Sequence, residues 1–164
     1  MITVIVIPAR LQEPLRALTL EDDRLGVYQE LVQGPIEALD LRNPPASFFV
    51  NEEAKLRGME LNERATTLAW AHNELMRGQD VIAGPAVLHG PVGPDGESTS
   101  APAELIDLLL NARRFQVEVA PTLEGPFRLV VPEHGDWFDA YQHGLRLSGL
   151  SGPARHMRVV AAHA

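Results

Sequence analysis

The hydrophobic and polar positions divide the chain into short alternating pieces. Residues 2–7 (Ile-Thr-Val-Ile-Val-Ile) form a β-branched, largely apolar run that predicts a strand buried on both faces. Residues 9–19 read as a connection, broken by Pro14. Thr19 and Asp22 approximate a capping box, and Leu25, Tyr28, Leu31 and Val32 recur at helical spacing. This predicts a helix over 20–33, stopped by Gly34-Pro35. Residues 36–41 and 47–50 are extended pieces on either side of Arg42-Asn43-Pro44-Pro45-Ala46, the pattern of a hairpin with a stiff loop.

Asn62 is a good N-cap, and Ala65, Leu68, Ala69, His72, Leu75 and Met76 share one helical face up to Gly78, which predicts a helix over 63–77. Residues 81–88 follow as a strand, and the Gly84-Pro85 pair inside it predicts an edge position or a bulge. Residues 90–100 hold three Gly and two Pro without periodicity, so they read as a flexible loop. Beyond it a short helix is predicted over 103–111, with Pro102 tolerated in its first turn. Phe115, Val117 and Val119 alternate with Gln116 and Glu118 as a half-buried strand. Residues 127–131 give another strand, 136–147 an amphipathic helix through Trp137, Phe138, Tyr141 and Leu145, and 157–162 a last strand.

These elements predict an α+β fold, a small mixed sheet with helices packed on it. Through residue 89 the order is βαββαβ, that of a ferredoxin-like, split-βαβ unit, followed by a C-terminal αββαβ extension. A single domain over residues 1–164 is expected, with the loop at 90–100 dividing a unit over 1–89 from one over 101–164. A chain of this length can bury about two-thirds of its unfolded surface, enough for one core. No repeat of 20–50 residues is visible, which excludes solenoids and propellers.

Composition narrows the chemistry. Cys is absent, so disulfides, thiolate metal sites and a Cys nucleophile are excluded. The net charge is −8, which argues against generic nucleic-acid backbone binding. Charge is unevenly placed: all twenty-two acids fall within residues 1–139, while 140–164 carry three Arg and no acid. No apolar run approaches the length of a spanning helix, and the N-terminal run has no basic flank and stops at Pro8. A cytoplasmic protein without membrane association is expected. No phosphate-binding glycine loop and no Gly-x-Ser-x-Gly elbow occurs, and residues 148–152 read as an ordinary turn. No cofactor is expected, and homo-oligomerisation stays open.

Three stretches carry a resemblance. They are Leu-Val-Gln-Gly-Pro-Ile-Glu from Leu31, Phe-Val-Asn-Glu-Glu-Ala-Lys-Leu-Arg-Gly-Met-Glu-Leu-Asn-Glu-Arg-Ala-Thr from Phe49, and Asp-Val-Ile-Ala-Gly-Pro from Asp80. Over roughly residues 1–90 the chain resembles the domain-of-unknown-function family 3846 of phages, plasmids and bacterial genomes. Ala54 stands where that pattern usually has Gly, and Pro35 where an aromatic is more usual. The resemblance implies a phage or mobile-element accessory role and supplies no reaction.

The candidate site lies in the second of those stretches. Asn51, Glu52 and Glu53 leave an apolar strand and run into Lys55, the only lysine, then Arg57, Asn62 and Arg64. Asn, paired carboxylates and cations at a strand end can hold a polar ligand or a protein partner through charge-assisted hydrogen bonds. The opposing expectation is a solvated loop in which Asn62 only caps its helix. Glu37 and Asp40 rank second. His72, on an apolar helical face, reads as a hydrogen-bonded boundary histidine. Glu133, His134, Asp136, Asp139 and His143 could group around a metal, but without a specific spacing Asp136 is better read as an N-cap and Asp139/His143 as an exposed i, i+4 pair.

The functional expectation is therefore an accessory protein acting by binding, through Asn51, Glu52, Glu53, Lys55, Asn62 and Arg64. One alternative is a small acid/base enzyme using Glu52 or Glu53 with support from His72. The other is an acidic, anti-defence DNA mimic, which needs carboxylates in a regular double row.

Overall fold

The computed structural model describes residues 1–21, 24–149 and 155–162. The capping-box partner Asp22, and residues 150–152 of the turn expected over 148–152, lie outside them. The chain divides into two compact units, Met1–Ile106 and Asp107–Ala164. The 90–100 loop belongs to the first, where the Ser100 hydroxyl accepts from the Thr3 N–H at 3.0 Å and Ala101 N–H donates to Thr3 O at 2.8 Å.

The first unit is built from β1 (Ile2–Ile7), β2 (Arg16–Leu20), α1 (Leu25–Val32), β3 (Ile36–Leu41), β4 (Ala46–Asn51), α2 (Glu63–His72), β5 (Ala86–His89) and α3 (Ala103–Ile106). Its sheet has the order β2-β1-β5-β4-β3, with every ladder antiparallel. On one face Val4, Val6, Phe49 and Val87 pack with Tyr28 and Val32 of α1. Their strand neighbours Ile5, Ile7, Phe48, Val50 and Leu88 point to the other face and are equally buried, so the sheet is covered on both sides.

The α+β class is as expected, whereas the sheet is not mixed and its order β2-β1-β5-β4-β3 is not that of a ferredoxin-like unit. The cause is β2, read from sequence as part of a connection. A strand followed directly by a crossover helix returns parallel. Here β2 reverses the chain before α1 begins, so β3 runs opposite to β1 and the sheet becomes wholly antiparallel. Because residues 16–20 are committed to that ladder, α1 starts at Leu25 rather than near residue 20. It stops where Gln33 turns left-handed (φ 67°) and its N–H reaches back to the Gln29 and Glu30 carbonyls.

α2 ends at His72, short of the expected residue 77. Asn73 is extended, and its amide donates to Asp40 O at 2.9 Å and accepts from Leu75 N–H at 3.1 Å, so the chain peels away with Leu75 in solvent. β5 corrects the expectation of an edge strand or bulge. Gly84-Pro85 precedes it, so the proline takes no place in a ladder, and the four buried residues Ala86, Val87, Leu88 and His89 form the centre of the sheet.

The second unit opens with a π-helical turn, Asp107–Asn111, and contains β6 (Phe115–Ala120), β7 (Arg128–His134), α4 (Trp137–Ser148) and β8 (His156–Ala161). Its antiparallel sheet has the order β7-β6-β8. Phe115, Val117 and Val119 of the central strand are buried, as are Ala140, Tyr141 and Gly144 of α4. Asp136 caps α4 as expected, accepting from Phe138 N–H at 2.7 Å and Asp139 N–H at 3.1 Å. In the basic tail, Arg158 Nε lies 2.7 Å from Glu118 Oε1 and its guanidinium stands 4.0 Å from the centre of the Phe127 ring. Among the described residues no helix is long and apolar enough to cross a membrane.

Candidate functional site

The segment from the end of β4 to the first turn of α2 holds the candidate residues and turns its polar side chains in two directions. Asn51, Asn62 and Arg64 point inward and are buried, while Glu52, Glu53 and Lys55 are exposed. Asn51 Nδ2 donates to Val32 O at 3.1 Å, satisfying a carbonyl at the end of α1, and its Oδ1 accepts from Glu53 N–H at 2.8 Å. Arg57 Nη1 donates to Gln33 O at 2.6 Å. Both side chains cross over Gly34, where an added Cβ would lie 2.6 Å from Asn51 Nδ2 and 3.1 Å from Arg57 Nη1. The glycine before Pro35 thus makes room for two clasps on the α1 terminus.

Asn62 does more than cap α2. Its Oδ1 accepts from Ala65 N–H at 3.0 Å, and its Nδ2 donates to Ile7 O and Gly84 O, each at 2.9 Å. Arg64, only 7% exposed, places Nη2 among three carbonyl oxygens of the loop after β1: Pro8 at 2.9 Å, Arg10 at 2.8 Å and Glu13 at 2.7 Å. Such charge-assisted bonds fix the course of a loop that carries no secondary structure of its own.

These bonds shape a cleft of about 380 Å³ at one end of the sheet. Val6 and Pro8 close β1, Arg16 opens β2, Leu31 and Gln33 end α1, and Gly84-Pro85 precede β5; all line it. Ala9, Arg10 and Glu13 of the loop after β1 and Met59-Glu60 complete the wall. Several wall segments are tied by residues of the candidate segment: Arg64 holds the loop, Asn51 and Arg57 the end of α1, and Asn62 both Ile7 and Gly84. Across the mouth Arg10 Nε lies 3.7 Å from Glu60 Oε2.

Glu52 and Glu53 do not line this cleft. Lys55 is bonded instead to Asp80, and that hydrogen bond holds the Asp80 carboxyl below the usual carboxylate range. Glu37 and Asp40 lie exposed on the edge strand β3, away from the cleft, although the hairpin pairs as expected with Glu37 opposite Val50 and Asp40 opposite Ser47. The cleft residues Arg10, Glu13 and Arg16 were not singled out from sequence. Their signal was weak but present: two cations and an acid crowded around Pro14 directly after a buried strand.

Four histidines carry the remaining titratable chemistry. His72 is the last residue of α2, with Nδ1 3.0 Å from Arg42 O, and burial pushes its pKa down. His89 is fully buried on β5 and stacks on Phe49 with ring centroids 3.9 Å apart. Its Nδ1 lies 2.8 Å from Gly90 O and therefore carries the hydrogen, which leaves Nε2 as a buried acceptor without a donor among the described residues. Burial pushes its pKa down to about 4. In the second unit His143 Nδ1 lies 3.1 Å from His134 Nε2, so His143 pairs with His134 and not with Asp139, and burial and the neighbouring His134 lower its pKa. Among the described residues no three His, Asp or Glu side chains are grouped as a metal centre requires.

Fold and cleft together define a small antiparallel α+β module with a polar-rimmed cleft at one sheet end. The family described as "Domain of unknown function (DUF3846)" matches residues 2–115, more than half of the chain, and the protein belongs to that family. The match extends beyond the roughly ninety residues that the quoted motifs span. No curated protein and no solved structure gives a significant match. The two departures from the family pattern are absorbed locally. Ala54 is buried, and Pro35 contributes its carbonyl to Glu52 N–H at 2.8 Å, continuing the β3–β4 pairing.

Proposed function

We propose that this protein acts by binding a small polar ligand in the cleft of its first unit rather than by catalysis. The phage or mobile-element setting is what the family resemblance implies. The observation that carries the proposal is the use of Arg64. Burying a guanidinium is costly, and here it is spent on backbone carbonyls of a loop whose residues Ala9, Arg10 and Glu13 line the cleft. Asn62 and Asn51 support the same interpretation, since both tie down neighbouring walls. A volume of 380 Å³ lies near the lower end of the roughly 300–1,000 Å³ typical of small-molecule sites. The acid/base alternative finds no comparable support, because Glu52 and Glu53 stand in solvent outside the cleft.

Titration of the isotopically labelled protein with a library of small polar fragments tests the proposal by amide NMR. Ligands that bind should move the amides of Ala9, Arg16, Gln33, Glu60 and Gly84 together. Shifts confined to Glu52, Glu53 and Lys55, or no shifts with any fragment, would sink it.

A further inference from the structure

The charges around the cleft indicate which polar ligand it takes. Four charged side chains line it, Arg10 and Arg16 against Glu13 and Glu60, and they sum to zero. Arg10 and Glu60 are set against each other at 3.7 Å. The Arg16 guanidinium and the Glu13 carboxylate have no hydrogen-bond or ion-pair partner among the described residues, although both line the same 380 Å³. Beside them Val6, Leu31 and Met59 supply an apolar floor.

A purely anionic ligand would meet two carboxylates here, and a purely cationic one two guanidinium groups. Each is penalised by the like charges as much as it is drawn by the opposite ones. A molecule carrying both charges and an apolar body satisfies every wall. We infer that the cleft binds a zwitterion of the free α-amino-acid class with an aliphatic or thioether side chain. Its carboxylate faces the Arg16 fork, its ammonium faces Glu13, and its side chain lies on Val6, Leu31 and Met59. This inference rests on the cleft being the binding site.

Calorimetry on the full chain with leucine, methionine, N-acetyl-leucine and leucinamide reads it directly. Leucine and methionine should bind and raise the melting temperature, and either capped form should bind about tenfold more weakly, as loss of one charge-assisted contact implies. Arg16→Gln should erase the difference between leucine and leucinamide, and Glu13→Gln that between leucine and N-acetyl-leucine. Both positions are exposed, so the variants should keep the wild-type melting temperature without ligand. Equal binding of leucine and N-acetyl-leucine to the wild type overturns the zwitterion assignment. If no amino acid binds while inorganic phosphate or a nucleoside monophosphate shifts the cleft amides, the ligand class is wrong and the cleft remains the site. If no small molecule shifts those amides, both fall.

Discussion

Arg64 Nη2 stands 2.7 Å from the carbonyl oxygen of Glu13, fifty-one residues earlier in the chain. With the Pro8 and Arg10 carbonyls sharing the same nitrogen, a single side chain sets the shape of one cleft wall. Arg64→Met keeps most of the apolar stem and removes the donors. It should lower unfolding free energy by about 2–4 kcal/mol, since three inward carbonyls lose a charged partner. Chemical denaturation measures the loss. Arg64→Lys should recover only part of it, because its ammonium ends a shorter stem than the one that carries Nη2 to the three carbonyls and is more strongly hydrated. A change within about 0.5 kcal/mol for the methionine variant, the range of an ordinary surface site, would show that the loop holds itself.

Asn62 offers a sharper dissection, because its two amide atoms serve different partners. Asn62→Asp keeps the oxygen that caps α2 but replaces the donor facing the Ile7 and Gly84 carbonyls with a second acceptor. Asn62→Ala removes both. If clamping matters more than capping, the aspartate variant should be at least as destabilised as the alanine one, by roughly 2–3 kcal/mol. An aspartate variant close to wild type in thermal unfolding would assign Asn62 to the cap alone.

His89 makes stability depend on pH. Its folded pKa of about 4 lies below the ordinary value of 6.5, so the unfolded chain takes up a proton first as pH falls. The stabilisation is complete above about pH 6.5 and is lost progressively down to about pH 4. Over that window it amounts to about 3 kcal/mol for this one ring. His72, also lowered by burial, adds in the same direction. Unfolding free energies measured between pH 7 and pH 4 should fall accordingly, and His89→Leu should flatten the slope. An unchanged slope in that variant would mean that other groups govern acid sensitivity.

Gly144 lets α4 approach β6 and β8. A Cβ there would overlap Met157 Cε and stand 3.2 Å from Val117 Cγ1. Glycine to alanine inside a helix ordinarily gains up to about 1 kcal/mol, whereas overpacking costs about 1–3 kcal/mol, so Gly144→Ala should be net destabilising. The clash is mainly with the tip of a flexible side chain. A double-mutant cycle with Met157→Ala should therefore show a favourable coupling of about 1 kcal/mol or more. Additive effects would place the clash on Val117 instead.

What the sequence revealed follows the range of the interactions involved. The N-caps Asn62 and Asp136 were legible because a cap bonds a backbone N–H two or three residues on. The β3–β4 hairpin was legible because its partners are close in sequence. β2 was not, since Leu18 and Leu20 alternate over only five residues after a proline-containing stretch, and only the ladder with β1 makes them a strand. The position of β5 was misread for a related reason: Gly84-Pro85 is a local signal, whereas centrality depends on β1 and β4. The candidate segment was legible as a polar run at a strand end, but the direction of its side chains was not. Asn51, Asn62 and Arg64 turn inward because carbonyls 19 to 56 residues away need donors.

The central place of β5 sets an order for assembly. The β1–β2 and β3–β4 pairs close over short distances, but nothing in the sheet joins them until residues 86–89 are inserted between β1 and β4. During synthesis the chain therefore carries two hairpins with open inner edges until the ribosome has passed His89. Unpaired edges of this kind invite pairing with other chains. Fragments ending before Ala86 should aggregate, whereas adding the four residues of this strand completes the sheet in one step.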